Sequence, residues 1–149
     1  MEKSEIWNLI EAELMQRISD IQQSIDLIVQ SKTKETKSSA GDKFETGRAM
    51  LQNEEDKLLG QLKRNKEDLL RMQVLKKQVY SSKQIQSGSL VRSGQRWFLL
   101  GLGLGKILVN GQEVFAISLQ APIAQTLLGK SKGDTFKLRE RALIIEDIY

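Results

Sequence analysis

The chain contains no cysteine and no histidine. Without cysteine there is no disulfide framework and no thiolate metal site. Without histidine the commonest general base and the commonest transition-metal ligand are both missing. Any metal must then be held by carboxylates, which suit Mg²⁺, Mn²⁺ or Ca²⁺. No apolar run approaches the roughly 20 residues of a membrane span, and Met1-Glu2-Lys3-Ser4-Glu5 does not read as a signal peptide. A soluble, cytoplasmic protein with no membrane partner is expected. A large charge surplus is absent too. Residues 1–80 carry 14 basic and 14 acidic side chains, and residues 81–149 carry 9 and 5. That excess is small ground for a dedicated nucleic-acid-binding domain.

The 149 residues are enough for one ordinary domain or two small ones. Over residues 5–30, Leu14, Ile18, Ile21, Ile25 and Ile28 recur at alternating spacings of four and three, and Trp7 extends the series by one heptad. The stripe is narrow, as in a coiled-coil seam. The apolar pattern stops at Val29, so residues 31–40 read as a polar loop or a frayed helix end. A second seam runs from Thr46 to Tyr80. It uses Leu51, Leu58, Leu62, Leu69, Met72 and Val79, with Glu55, Asn65 and Lys76 at intervening positions. Two seams of similar length joined by a short polar tip fold back as an antiparallel hairpin. Arms of ~30–35 residues reach about 45–50 Å at 1.5 Å per residue.

Residues 81–87 are polar and read as a linker between the hairpin, residues 1–80, and a second domain, residues 88–149. There the periodicity becomes that of strands. Leu90-Val91, Trp97-Phe98-Leu99-Leu100, Ile107-Leu108-Val109 and Val114-Phe115-Ala116-Ile117 are short apolar runs between turns. Asn110-Gly111 is a strong hairpin signal. Pro122, the single proline, opens a short helix through about Leu128 that Gly129 ends. Phe136-Lys137-Leu138 and Ala142-Leu143-Ile144-Ile145 add two strands. The fold class is α+β, with a mostly antiparallel sheet and one short helix after the hairpin.

Gly101-Leu102-Gly103-Leu104-Gly105 lacks phosphate-loop spacing and is followed by a strand rather than a helix, so it is read as a connection or a bulged strand edge. The tip near residues 41–47 holds Asp42 and Glu45, three residues apart and hence on one side of a helical turn. Asp42 at an N-cap followed by Glu45 is close to a capping box. The same two carboxylates can also face a divalent cation, and both readings stay open.

Gly41-Asp42-Lys43-Phe44-Glu45-Thr46 resembles the coiled-coil tip of the bacterial Gre transcript-cleavage factors, Gly-Asp-x-x-Glu-Asn. Ile117-Ser118-Leu119-Gln120-Ala121-Pro122, continuing through Leu127-Leu128-Gly129-Lys130, is similar to that family's C-terminal signature. Gly133-Asp134 continues that match, and Gly88-Ser89-Leu90-Val91 resembles the start of that domain. The sequence departs from the pattern at Thr46, at Gly47-Arg48-Ala49 and at Ala121.

The resemblance implies a prolyl-isomerase-like (FKBP-like) sheet domain and a hairpin that enters the secondary channel of RNA polymerase. It implies that Asp42 and Glu45 are the catalytic carboxylates. They would help hold a Mg²⁺ shared with the polymerase and not bound stably by this chain alone, Asp42 as the main ligand and Glu45 assisting. Phe44 would pack on the channel wall or nucleic acid. Ser118, Ala121, Pro122 and Ile123 would contact the channel rim, although Ser118 or Gln120 capping the short helix is an equal alternative. The chain is then no enzyme itself. It stimulates the polymerase's own two-metal hydrolysis of backtracked RNA. It meets nascent RNA and DNA only within the elongation complex, and it is expected to be a monomer. A channel binder that modulates polymerase without cleavage, and a hairpin module for another partner, are the alternatives.

Overall fold

The two heptad patterns build α1 (Lys3–Ser38) and α2 (Asp42–Lys77). The computed structural model describes residues 1–38 and 42–149, with side chains described outside residues 35–44. Two long helices followed by a small mixed sheet make the chain α+β. It divides into two compact units, one of Glu11–Leu70 and one of Met1–Ile10 with Arg71–Tyr149.

In the helical unit the seam is as its spacing requires. Leu14, Ile25 and Leu62 are buried, and Ile18, Ile21, Ile28, Leu51, Leu58, Asn65 and Leu69 are half-buried. The helices run antiparallel, since Lys32 pairs with Glu55 and the Met15–Ile18 turn lies beside Lys66 and Leu69. Residues 31–38, expected as a loop or frayed end, are helical. The seam continues through them by one polar step. Lys32 falls one heptad after Ile25, and its ammonium reaches Glu55 and Gln52 across the pair. A charged pair half out of water thus replaces the apolar contact that the pattern lacked.

The second seam ends earlier than its spacing suggests. α2 stops at Lys77, and Val79 is 96% exposed. Leu75 turns inward instead and is buried, while the exposed Lys76 donates to Asn8 Oδ1 at 2.9 Å. The final turn of α2 belongs to the sheet unit, where Met72 keeps the heptad phase and Leu75 is buried out of it.

In that unit the strands are β1 (Leu90–Ser93), β2 (Arg96–Leu100), β3 (Gly105–Val109), β4 (Gln112–Ile117), β5 (Thr135–Leu138), β6 (Arg141–Ile144) and β7 (Asp147–Ile148), with α3 (Pro122–Leu127) after β4. The main sheet has the order β3-β4-β2-β1-β7, and β5-β6 form a separate pair. β2 and β4 are parallel, and the other pairs are antiparallel. Asn110-Gly111 closes the β3–β4 hairpin with φ of 50° and 78°, the left-handed pair that a two-residue turn needs.

One sheet face carries Val91, Phe98 and Leu100. They form a core with Leu127 of α3, with Phe136 and with Ile145. Phe98 stacks on Phe115 and meets Phe136 edge-on. On the other face Leu90, Leu99, Val114 and Ala116 are buried, as are Ile6, Trp7, Ile10 and Met72 from the helix ends of the same unit. Residues 81–87, read as a linker, are built into this unit. Ile85 joins the core, its N–H donates to Lys130 O, and its carbonyl accepts from Gly129 N.

Candidate functional site

The tip carboxylates sit at the reversal of the chain. α1 ends at Ser38 and α2 begins at Asp42, so Asp42 and Glu45 both fall in the first turn of α2. Carboxylates there are favoured by the partial positive charge of a helix N-terminus. Glu45 is exposed. The side chains of Asp42 and Phe44 lie outside the described residues. Among the described residues no cluster of three or more Asp or Glu could hold a metal ion. Asp and Glu carboxylates are hard oxygen donors of the kind that Mg²⁺ accepts.

The loop leading into α3 is local and ordered. Ser118 Oγ accepts from Gln120 N–H at 3.2 Å, and Ser118 O accepts from Ala121 N–H at 3.0 Å. The Gln125 amide donates back to Leu119 O. Ala121 is the N-cap of α3 and makes no side-chain cap, so neither Ser118 nor Gln120 caps the helix. Pro122 starts the helix, where its missing N–H costs nothing. Ser118 and Ala121 are half-buried, Pro122 is exposed, and Ile123 turns toward the core. A Cβ on Gly103 would lie 3.2 Å from Ser118 Cβ, so this glycine lets the loop approach. The strand β3 that follows the glycine stretch excludes a phosphate loop.

Ile123 is the member of this set that reaches a concavity. A groove of about 720 Å³ opens on the sheet face beside α3. Its floor is Phe98, Phe115, Ile117, Ile123 and Leu138, and its rim holds Arg96, Glu113 and the β5–β6 turn. Strand alternation puts Phe115 and Ile117 on one face of β4, and the parallel register sets Phe115 beside Phe98. Sequence reasoning missed the groove because β2, β4, α3 and the β5–β6 turn, distant along the chain, build it. One signal was present. Arg139-Glu140 stands where a tight turn would ordinarily use Gly or Asn.

Elsewhere in the unit two ionisable networks fix the chain. Lys3 Nζ lies 3.2 Å from the centroid of the Tyr80 ring and donates to Tyr149 O at 3.0 Å. Burial lowers the Lys3 pKa to about 8 and raises that of Tyr80. Arg92 donates to Asp147 from Nε at 3.1 Å and pairs with Glu146 at 2.6 Å, and Lys132 donates to Asp147 at 2.7 Å. Hydrogen bonds from Lys132 and Arg92 hold the Asp147 carboxyl below its ordinary value. No helix among the described residues is long and apolar enough to cross a membrane. Compared with known proteins, the chain matches no family model, no curated protein and no solved structure.

Proposed function

We propose that this chain is a transcription elongation factor of the Gre type, which binds RNA polymerase and stimulates cleavage of backtracked RNA through Asp42 and Glu45. The observation that carries the reading is the position of these residues. They occupy the first turn of α2, at the reversal between two 36-residue helices, with Glu45 exposed. A helix that long spans about 54 Å, a length suited to reaching into a narrow passage. The sheet unit supports the reading through its order after the hairpin and through the Pro122 helix laid on one face of a five-stranded sheet. We take that unit as prolyl-isomerase-like and its 118–123 loop as the contact to the channel rim.

In this proposal Mg²⁺, when bound, supplies Lewis-acid activation of water at the polymerase active site. Free Asp and Glu are ionised at neutral pH and present hard oxygens to such an ion. Asp42 is the principal ligand of the pair. Glu45 adds a second oxygen or orients water. Phe44 packs against the channel wall or nucleic acid, and cleavage belongs to the polymerase. The departures at Thr46 and Gly47-Arg48-Ala49 change the surroundings of both carboxylates and favour a second reading, a channel binder that modulates polymerase without cleavage.

RNA cleavage in a purified backtracked elongation complex tests both, with wild type, Asp42→Asn and Glu45→Gln in parallel. Cleavage by wild type, lost in Asp42→Asn at equal binding and equal melting temperature, is the expected result. Binding without cleavage by any variant selects the modulator. No binding sinks both.

A further inference from the structure

We infer that the groove beside α3 is a docking site for an acidic peptide segment of a partner protein, one that presents a bulky apolar side chain flanked by carboxylates. The floor is apolar and partly open, with Phe115 and Ile123 half-buried. Its volume of about 720 Å³ exceeds the needs of one side chain, so a short segment fits.

The rim supplies the charge argument. Arg96, Arg139 and Arg141 all border the groove and are exposed. None of the three forms an ion pair with another described residue. Against them stand Glu140 and Glu113, and Glu113 is already engaged by Lys106 at 2.9 Å. The unengaged charge around the apolar floor is therefore positive. Arginine matches carboxylates with a planar fork of donors, which gives direction as well as charge.

The backbone adds an independent point. Leu138 pairs with Arg141, so Arg139-Glu140 is a two-residue connection, and Arg139 holds φ of 57°. That left-handed region favours Gly or Asn and is strained for a long side chain. The other two-residue hairpins in the unit use Gly94-Gln95 and Asn110-Gly111, each with Gly or Asn at the first turn position. An arginine kept at a strained turn, on the rim of a groove and without an ion pair among the described residues, fits a residue retained for an external contact.

The inference does not rest on the polymerase reading, because its test needs no polymerase. The probe is a fluorescein-labelled peptide with a central Leu-Phe pair between Asp and Glu residues, read by fluorescence anisotropy against the full chain. Three controls run beside it: the same peptide with Asn and Gln for its acids, an acidic peptide without Leu-Phe, and a labelled single-stranded RNA of similar charge. The acidic-apolar peptide is expected to bind, and each peptide control to bind about ten-fold more weakly or worse. Arg139→Gly, which also relieves the turn, and Arg141→Gln should each weaken binding several-fold while the melting temperature holds or rises. Affinity should also fall as salt shortens the screening length. Equal affinity for the neutral peptide, unchanged affinity in both arginine variants, no peptide binding, or binding of the RNA in place of the peptide would each overturn the assignment.

Discussion

Gly88→Ala should be among the most damaging single-methyl changes in the sheet unit, and the reason lies in one ring. Gly88 has φ of +86°, a conformation that costs an ordinary residue about 1–2 kcal/mol. A Cβ built there would fall 2.5 Å from Tyr80 Cζ, far inside van der Waals contact. The ring cannot move freely, because its hydroxyl donates to Leu75 O and its face carries the Lys3 ammonium. Overpacking of this kind costs about 1–3 kcal/mol. The sum is about 2–5 kcal/mol, or roughly a 5–15 °C fall in melting temperature for a chain of this size. Gly94→Ala is the control. Its φ is +60° but nothing lies within 4 Å of the added carbon, so only the conformational cost of about 1–2 kcal/mol remains. Both tryptophans, Trp7 and Trp97, are buried in this same unit, so denaturation followed by intrinsic fluorescence reports on it selectively. The decisive step is a double-mutant cycle. In a Tyr80→Ala background the Gly88→Ala penalty should shrink to that of Gly94→Ala, giving a coupling of about 1–3 kcal/mol. If the two changes add within about 0.5 kcal/mol, the clash with Tyr80 is not the cause and the reasoning fails.

Other expectations follow from the ionisable groups and the seam. Lys3 titrates near pH 8 when folded and at 10.5 as a free side chain, so the unfolded chain holds more protons between those values and this group's contribution to stability rises with pH there. Denaturation midpoints compared at pH 7.5 and 9.5 should show that increment in wild type and lack it in Lys3→Met; the upper pH stays below the raised Tyr80 titration. Asp147 has a lowered carboxyl pKa, so its stabilisation is present above the ordinary value of 3.8 and disappears as pH falls through the folded one. Asp147→Asn should accordingly flatten the acid limb of the stability profile. Asn65 lies half-buried in the seam and donates to the Gln61 carbonyl of its own helix turn. Asn65→Leu should stabilise the helical unit by about 0.5–1.5 kcal/mol, seen as a later far-ultraviolet circular dichroism transition, because a seam polar group gives way to buried apolar surface.

What could be read from the chain is what local chemistry decides. The four-three spacing from Leu14 to Ile28 marked the inner face of α1, Asn110-Gly111 marked a turn, and Pro122 marked a helix start; each feature depends on residues within a few positions of one another. The extension of α1 to Ser38 was hidden because its seam partner, Glu55, is distant in sequence from Lys32. Val79 looked like a seam residue because the heptad count ran on, whereas the sheet unit had already taken over the packing at Leu75. Ile85 lay in a polar stretch, and only the backbone of Gly129 and Lys130 makes it a core residue. Asp147-Ile148 was too short to show as a strand without β1 beside it. The candidate groove was the least legible of all, since Phe98, Phe115, Ile123 and Leu138 meet only in three dimensions.

The slot that β4 occupies has a consequence for how the sheet must assemble. β3 is made before β4 yet touches the sheet only through it, and β2 keeps an unpaired edge until β4 arrives parallel to it. While the chain is being synthesised, the apolar strand with Trp97, Phe98, Leu99 and Leu100 therefore presents open backbone donors and acceptors to any neighbour. The four strands β1 to β4 thus close around a slot in the middle of the sheet, and only β7 is added later, at the β1 margin. The fold's vulnerability to misassociation is concentrated in the interval between the emergence of Leu100 and that of Ile117.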